Sequence, residues 1–303
     1  MENQVIWFNG EIRRRHEAKV SVLSPTAQYG LNVFEGIRAY WRSSDRQLYI
    51  FRLTDHLKRL LHSCSMFQIE CQWNLSELER ILIDFLREMK FEEDVAIRMT
   101  LYVDGDGSWS SSSPVGMFIA PIVKVRTSLP LTTGKSACVS TWRRISENSM
   151  SPRIKSGANY INSRYAHLDA VRNGYDLPLL LNEQGSVAEG GGACVFIIRN
   201  DQLWTPTTSS SILESITRDS IIEYANKLNI VVKEKIITRT DLYVANEVFL
   251  CGSAAEITPI TSVDQYSIGN GKIGNYTQLL MNEYLKIVTG GSADHLKWLT
   301  PVY

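Results

Sequence analysis

From Val95 to Val103 the chain alternates with a period of two, with Ile97, Met99, Leu101 and Val103 on one side and Arg98, Thr100 and Tyr102 on the other. Only extended backbone sends successive side chains to opposite faces, so this segment predicts a strand with one buried and one polar face. Other strands and helices arrange themselves around it. Val5 to Phe8 and the residues from Glu11 flank Asn9-Gly10, the dipeptide that supplies the positive φ angles of a tight hairpin. Thr54-Asp55 offers an N-cap to a helix carrying Leu57, Leu60, Leu61, Cys64 and Phe67 at helical spacing, and Ser76 with Glu79 reads as a capping box before Leu78, Ile81, Leu82, Phe85 and Met89. A Gly/Ser-rich loop from Asp104 to Ser113 leads into a second strand, Met117 to Val125. Thr127 to Lys135, with Pro130 and Gly134, reads as a polar linker. Beyond it the patterns predict a helix from about Ala158 to Arg172 stopped by Asn173-Gly174, strands near Leu179, Val195 and Ile230, and a helix from about Ile216 to Leu228. The expectation is a two-domain mixed α/β chain: a small N-terminal domain over 1–126, a linker over 127–135 and a larger domain over 136–303.

The 32 Lys+Arg residues balance 32 Asp+Glu, so no net field draws the whole protein toward nucleic acid or an acidic membrane. Small molecules and protein partners are the expected ligands. The five cysteines are scattered and form no C-x-x-C pair, which fits a reduced, cytoplasmic setting. No apolar run approaches the roughly 20 residues of a membrane span, and the N-terminus lacks a basic segment followed by an apolar one. Among the histidines only His56 and His62 are close, and a spacing of six puts them on different helix faces, so no metal site is expected.

Nothing in this patterning singles out Lys155. Its neighbourhood does: Lys155-Ser156-Gly157-Ala158-Asn159-Tyr160 resembles the Schiff-base segment of the fold-type-IV pyridoxal 5'-phosphate (PLP) enzymes, specifically the branched-chain amino acid aminotransferases. Further segments resemble the same family in the same order. They are Tyr29-Gly30 with Phe34-Glu35-Gly36-Ile37-Arg38-Ala39-Tyr40, then Asp55-His56-Leu57-Lys58-Arg59-Leu60, Ala188-Glu189-Gly190-Gly191-Gly192, Ile216-Thr217-Arg218-Asp219, and Glu247-Val248-Phe249 through Gly252-Ser253-Ala254-Ala255-Glu256-Ile257-Thr258-Pro259. The likeness runs from about Trp7 to Gly290.

The resemblance implies a D-amino-acid-aminotransferase-like fold, a homodimer or higher homo-oligomer, and amino-group transfer between a branched-chain or other hydrophobic L-amino acid and 2-oxoglutarate. By it, Lys155 is both cofactor anchor and acid/base, Glu189 faces the pyridine nitrogen, and Tyr160 reaches the ring hydroxyl. Arg59, Thr217, Ser253 and the helix start at Ile216 would hold the phosphate, since exposed N–H groups and a guanidinium fork suit an anion. Tyr29, Phe34, Arg98 and the backbone N–H of Ala254 would contact substrate, and Trp109 would wall the partner subunit's pocket, the alternative being an aromatic packed on its own domain. Departures from the family fall on the substrate side: Ala96 replaces a usual tyrosine, Ala193-Cys194 a usual Glu-Asn, Ser215 a usual glycine, and a usual pocket tryptophan is replaced near Val123. They leave open a D-amino acid aminotransferase, an aminodeoxychorismate lyase or a transaminase for an unusual acid on the same fold. A catalytically retired binding protein is the non-enzyme alternative.

Overall fold

The computed structural model describes residues 5–127, 129 and 131–303; Pro130, invoked for the linker, lies outside the described residues. The chain divides into two compact units: Met1–Arg126 with Ile154–Ala158 and Lys286–Tyr303, and Thr127–Arg153 with Asn159–Leu285.

In the first unit β1 (Val5–Phe8) and β2 (Glu11–Arg14) form the expected hairpin, followed by the short helix α1 (Pro25–Tyr29), β3 (Asn32–Arg42) and β4 (Gln47–Phe51). Helices α2 (Leu53–Met66) and α3 (Leu75–Met89) precede β5 (Val95–Val103) and β6 (Val115–Val123). The strands make one antiparallel seven-stranded sheet in which the chain-end strand Leu299–Pro301 is followed by β4, β3, β5, β6, β1 and β2. The odd positions of β5 enter a core with Val33, Ile37, Leu57, Leu60, Leu82 and Phe85. The other face is less polar than the alternation suggests: Arg98 is exposed, but Thr100 is buried and Tyr102 packs beside Phe8 and Phe118, its hydroxyl taking a hydrogen bond from Asn9 Nδ2 at 3.1 Å.

The starts of α2 and α3 differ from expectation because the expected capping side chains are engaged elsewhere or forestalled. At α3 the capping box is Asn74 with Glu77, not Ser76 with Glu79; Glu79 instead accepts from Thr54 Oγ1 at 2.5 Å, which removes Thr54 as a cap for α2. Helix α2 therefore starts at Leu53 behind Arg52, with no side-chain cap.

The expected domain over 136–303 is not one unit in space. Strand β4 pairs with only Ala39 to Arg42 of β3, so the backbone of Val33 and Phe34 needs another partner. Lys155 and Ser156 provide it: Phe34 N–H donates to Lys155 O at 2.9 Å, and Val33 bridges Ser156 antiparallel. Leu299–Pro301 likewise pairs with Tyr49 to Phe51.

The second unit contains β7 (Lys135–Arg143), α4 (Tyr160–Arg172), β8 (Leu177–Leu181), β9 (Val187–Gly190), β10 (Cys194–Arg199) and β11 (Gln202–Thr205). They are followed by α5 (Ile216–Lys227), β12 (Val232–Glu234), α6 (Arg239–Tyr243), β13 (Glu247–Gly252), β14 (Glu256–Val263), β15 (Tyr266–Ser267) and α7 (Asn275–Val288). Its mixed sheet runs β12-β11-β10-β13-β14-β7-β8-β9, with β15 on β14. Helix α4 begins two residues later than expected because Ile154–Ala158 belongs to the first unit; it ends at Asn173, followed by Gly174 at φ 82°. The strand expected near Ile230 begins at Val232, since Ile230 N–H closes the turn after α5 by donating to Ala225 O at 3.0 Å.

Candidate active site

In the first unit Lys155 is held by its backbone. Its N–H donates to Ser63 Oγ on α2 at 3.2 Å and its carbonyl accepts from Phe34. Gly157 is needed beside it, because a Cβ there would stand 2.6 Å from Asn32 Oδ1. The Lys155 amine lies 5.0 Å from the centre of the Phe34 ring, and the Arg98 guanidinium lies 3.7 Å from the same centre. Phe34 therefore gathers the two cations that the family resemblance assigns to chemistry and to substrate. Arg98 also lines a depression of about 320 Å³ with Asn32, Thr100 and Tyr102.

Under this segment lies a charged cluster that patterning did not reveal. Glu35, 0% exposed, accepts from Arg59 Nε at 2.7 Å and Nη2 at 2.8 Å, and contacts His56 Nδ1 at 2.7 Å. Burial alone pushes the Glu35 carboxyl up, but the Arg59 charge and the His56 hydrogen bond outweigh it and hold the group at about 2. Burial pushes His56 down despite the Glu35 contact, so its ring is neutral and gives its Nδ1 proton to Glu35. Arg59, assigned to phosphate, thus has its fork fixed by a buried carboxylate. Tyr29 closes α1 at 46% exposure, and Trp109 stands 73% exposed.

In the second unit Glu189 lies on β9, buried beside Arg144, whose Nε is 2.8 Å from Oε1. This is an ion pair without an aligned hydrogen bond from Nε. Leu213 N–H donates to Glu189 Oε2 at 3.3 Å, and the Cys194 thiol lies 3.8 Å from the same oxygen. Arg144 was missed because it meets Glu189 only through sheet pairing, with no spacing signal. The Tyr160 ring sits against Gly192, where a Cβ would meet its Cε1 at 3.7 Å. Helix α5 opens with Ser215 as N-cap, its hydroxyl accepting from Arg218 N–H at 3.3 Å, while the Ile216 and Thr217 amides in the first turn have no intrahelical acceptor. Ser253 and Ala254 form the turn from β13 to β14.

Residues 32–263 match the sequence model of amino-transferase class IV. Over 303 residues the chain is 40% identical to the probable branched-chain-amino-acid aminotransferase of Aquifex aeolicus, covering 98% of this chain and 96% of that protein. It belongs to the class IV aminotransferases. Another relative of this class IV chain, the branched-chain-amino-acid aminotransferase of Escherichia coli, is 35% identical, with 98% of this chain and 97% of the relative covered. Its structure is similar to that of the Thermobaculum terrenum branched-chain amino acid aminotransferase in PLP form (TM-score 0.94, 40% identity, 100% of both chains). The Thermoproteus uzoniensis branched-chain aminotransferase with norvaline has a TM-score of 0.93 at 39% identity, with 99% of both chains covered.

PLP is the cofactor of class IV aminotransferases, and the donor chemistry here fits it. The fit rests on a lysine anchored through its backbone, a buried carboxylate with a cationic neighbour, and a helix start whose first amides suit a phosphate.

Proposed function

We propose that this class IV enzyme transfers the amino group between a branched-chain or other hydrophobic L-amino acid and 2-oxoglutarate. The observation that carries the reading is the backbone-anchored Lys155 beside Phe34, in a chain whose near-full-length relatives are named branched-chain-amino-acid aminotransferases. Bound PLP supplies an electron sink that makes the substrate Cα–H acidic. Lys155 would take that proton from the substrate Cα as a base and give it to the cofactor carbon C4′ as an acid. Glu189 faces the ring nitrogen and Arg144 offsets the cost of burying its charge. Arg59, Ile216, Thr217 and Ser253 bind the phosphate, and Tyr160 orients the ring hydroxyl. The Ala254 N–H takes the α-carboxylate, Arg98 and Tyr29 the distal carboxylate of glutamate, and Phe34 walls the apolar side. Trp109, exposed as it is, serves the partner subunit's pocket in a homodimer.

The dimer is supported by α4, which leaves Ile161, Tyr165 and Leu168 exposed at helical spacing, Tyr165 stacked on Trp142 at 4.9 Å. The cytoplasm is supported by five free cysteines. Among the described residues no helix is long and apolar enough to cross a membrane. Borohydride reduction of the PLP-loaded enzyme followed by peptide mass analysis should find the pyridoxyl group on Lys155, and its attachment elsewhere or nowhere would sink the reading. Amino acids offered singly should convert the loaded enzyme with L-leucine and not D-alanine.

A further inference from the structure

The turn from β13 to β14 carries Ser253 and Ala254, and Gly252 pairs with Glu256 across it, so Ser253, Ala254 and Ala255 alone make the reversal. A Cβ on Gly252 would stand 3.7 Å from Gly192 O, which sets the start of the turn beside the Gly-rich segment that follows Glu189. The far end of the turn is tied twice. Thr258 Oγ1 donates to Ala255 O at 2.9 Å. Glu256 is buried, and its Oε2 accepts from the Thr127 N–H at 2.7 Å and from the Thr127 hydroxyl at 2.6 Å. Its backbone takes φ 49°, a left-handed conformation that glycine adopts freely and that strains a residue with a Cβ. The backbone at this position suits glycine, yet the chain places a buried carboxylate there.

We infer that Glu256 is a positioning residue, whose carboxylate, clamped on Thr127, holds the turn so that the Ser253 hydroxyl and the Ala254 N–H stay converged on anionic ligands. The inference rests on the proposed roles of those two donors, phosphate for Ser253 and the substrate α-carboxylate for Ala254. Glycine at 256 would relieve the backbone but remove the clamp, and a turn that must be ordered on binding lowers the affinity for its ligand. The α-carboxylate keeps its charge while the proton moves at Cα, so the Ala254 N–H binds it alike before and during that step. Loss of the clamp therefore falls on KM and on ligand affinity, with kcat little changed.

The probe is 4-methylvalerate, an unreactive carboxylate with a branched apolar tail, titrated into the PLP-loaded enzyme by calorimetry. Glu256→Gly should weaken its binding and raise KM for L-leucine about tenfold each, with kcat within about twofold of wild type, and should weaken PLP binding to the apoenzyme about threefold. Glu256→Gln keeps an oxygen with two lone pairs for the Thr127 donors and should bring both affinities back to within about twofold of wild type. Thr127→Val removes the hydroxyl, keeps the N–H and leaves residue 256 untouched; it should weaken 4-methylvalerate about threefold. Wild-type affinity for 4-methylvalerate in Glu256→Gly, or a fall in kcat with KM unchanged, would overturn the inference and leave the functional reading standing. Should Glu256→Gly fail to fold, unchanged affinity in Thr127→Val overturns it instead. A wild-type enzyme that binds no 4-methylvalerate would sink the functional reading and this inference with it.

Discussion

Glu35 in the first unit and Glu189 in the second are both buried glutamates with an arginine beside them, yet their surroundings differ. Glu35 takes both arms of the Arg59 fork and the His56 ring at 2.7–2.8 Å. Glu189 has an unaligned ion pair with Arg144, an amide at 3.3 Å and a thiol at 3.8 Å. Three short, charge-assisted contacts hold the Glu35 carboxylate, whereas the Leu213 and Cys194 contacts of Glu189 are longer and its Arg144 pair is unaligned. The difference separates a carboxylate that braces its own unit from one that the proposed function sets to work on the cofactor.

The severest challenge to that division comes from Lys155, which stands in the unit that Glu35 braces. Lys155→Ala should lower transamination at least ~10⁴-fold with circular dichroism unchanged, so that the first unit supplies the reacting group as well as its support. Next, Glu189→Gln should cost ~10²–10³-fold in kcat while the thermal midpoint barely moves. Glu35→Gln should show the converse, a loss of roughly 3 kcal/mol in denaturant unfolding, because Arg59 is left with an uncompensated buried charge. If Glu35→Gln left stability untouched and Glu189→Gln unfolded the protein, the comparison would be reversed.

The Glu35 contribution also has a pH signature. A carboxyl held at about 2 against an ordinary 4.5 stabilises the fold fully above 4.5 and loses that contribution as pH falls through about 2. The stability gap between wild type and Glu35→Gln should therefore close across that window. The smallest effect concerns substrate. Ala96 faces Arg38 across β3 and Ile122 across β6, next but one to Arg98. Ala96→Tyr should restore a hydroxyl for a carboxylate and lower KM for 2-oxoglutarate by up to about tenfold, with no change in stability beyond a few tenths of a kcal/mol.

How far all this could be read from the sequence tracks burial. Strand β5 alternates because only one of its faces enters the main core, and it is legible end to end. Strand β3 is buried on both faces over Val33–Glu35 and Ile37–Tyr40, and β9 over all of Val187–Gly190, so neither carries a period. Glu189 and Phe34 are singled out only through family motifs for that reason. Lys155 is singled out the same way, since nothing local distinguishes it from a surface lysine. Arg144 and the pairing of Glu35 with Arg59 depend on contacts across dozens of residues, which no local pattern encodes. The cap of α3 failed by two residues because Asn74 competed with Ser76, that of α2 because Thr54 is taken by Glu79, and the domain division assumed continuous pieces.

The chain-end strand Leu299–Pro301 has a consequence for synthesis. It hydrogen-bonds to β4, and Val302 N–H donates to Leu48 O at 3.0 Å, so a sheet whose strands start at Val5 is completed by residues almost 300 positions later. The first unit's sheet is not complete until residues 299–301 have emerged from the ribosome. A fragment stopping at Arg126 would expose the edge of β4 and lack Lys155.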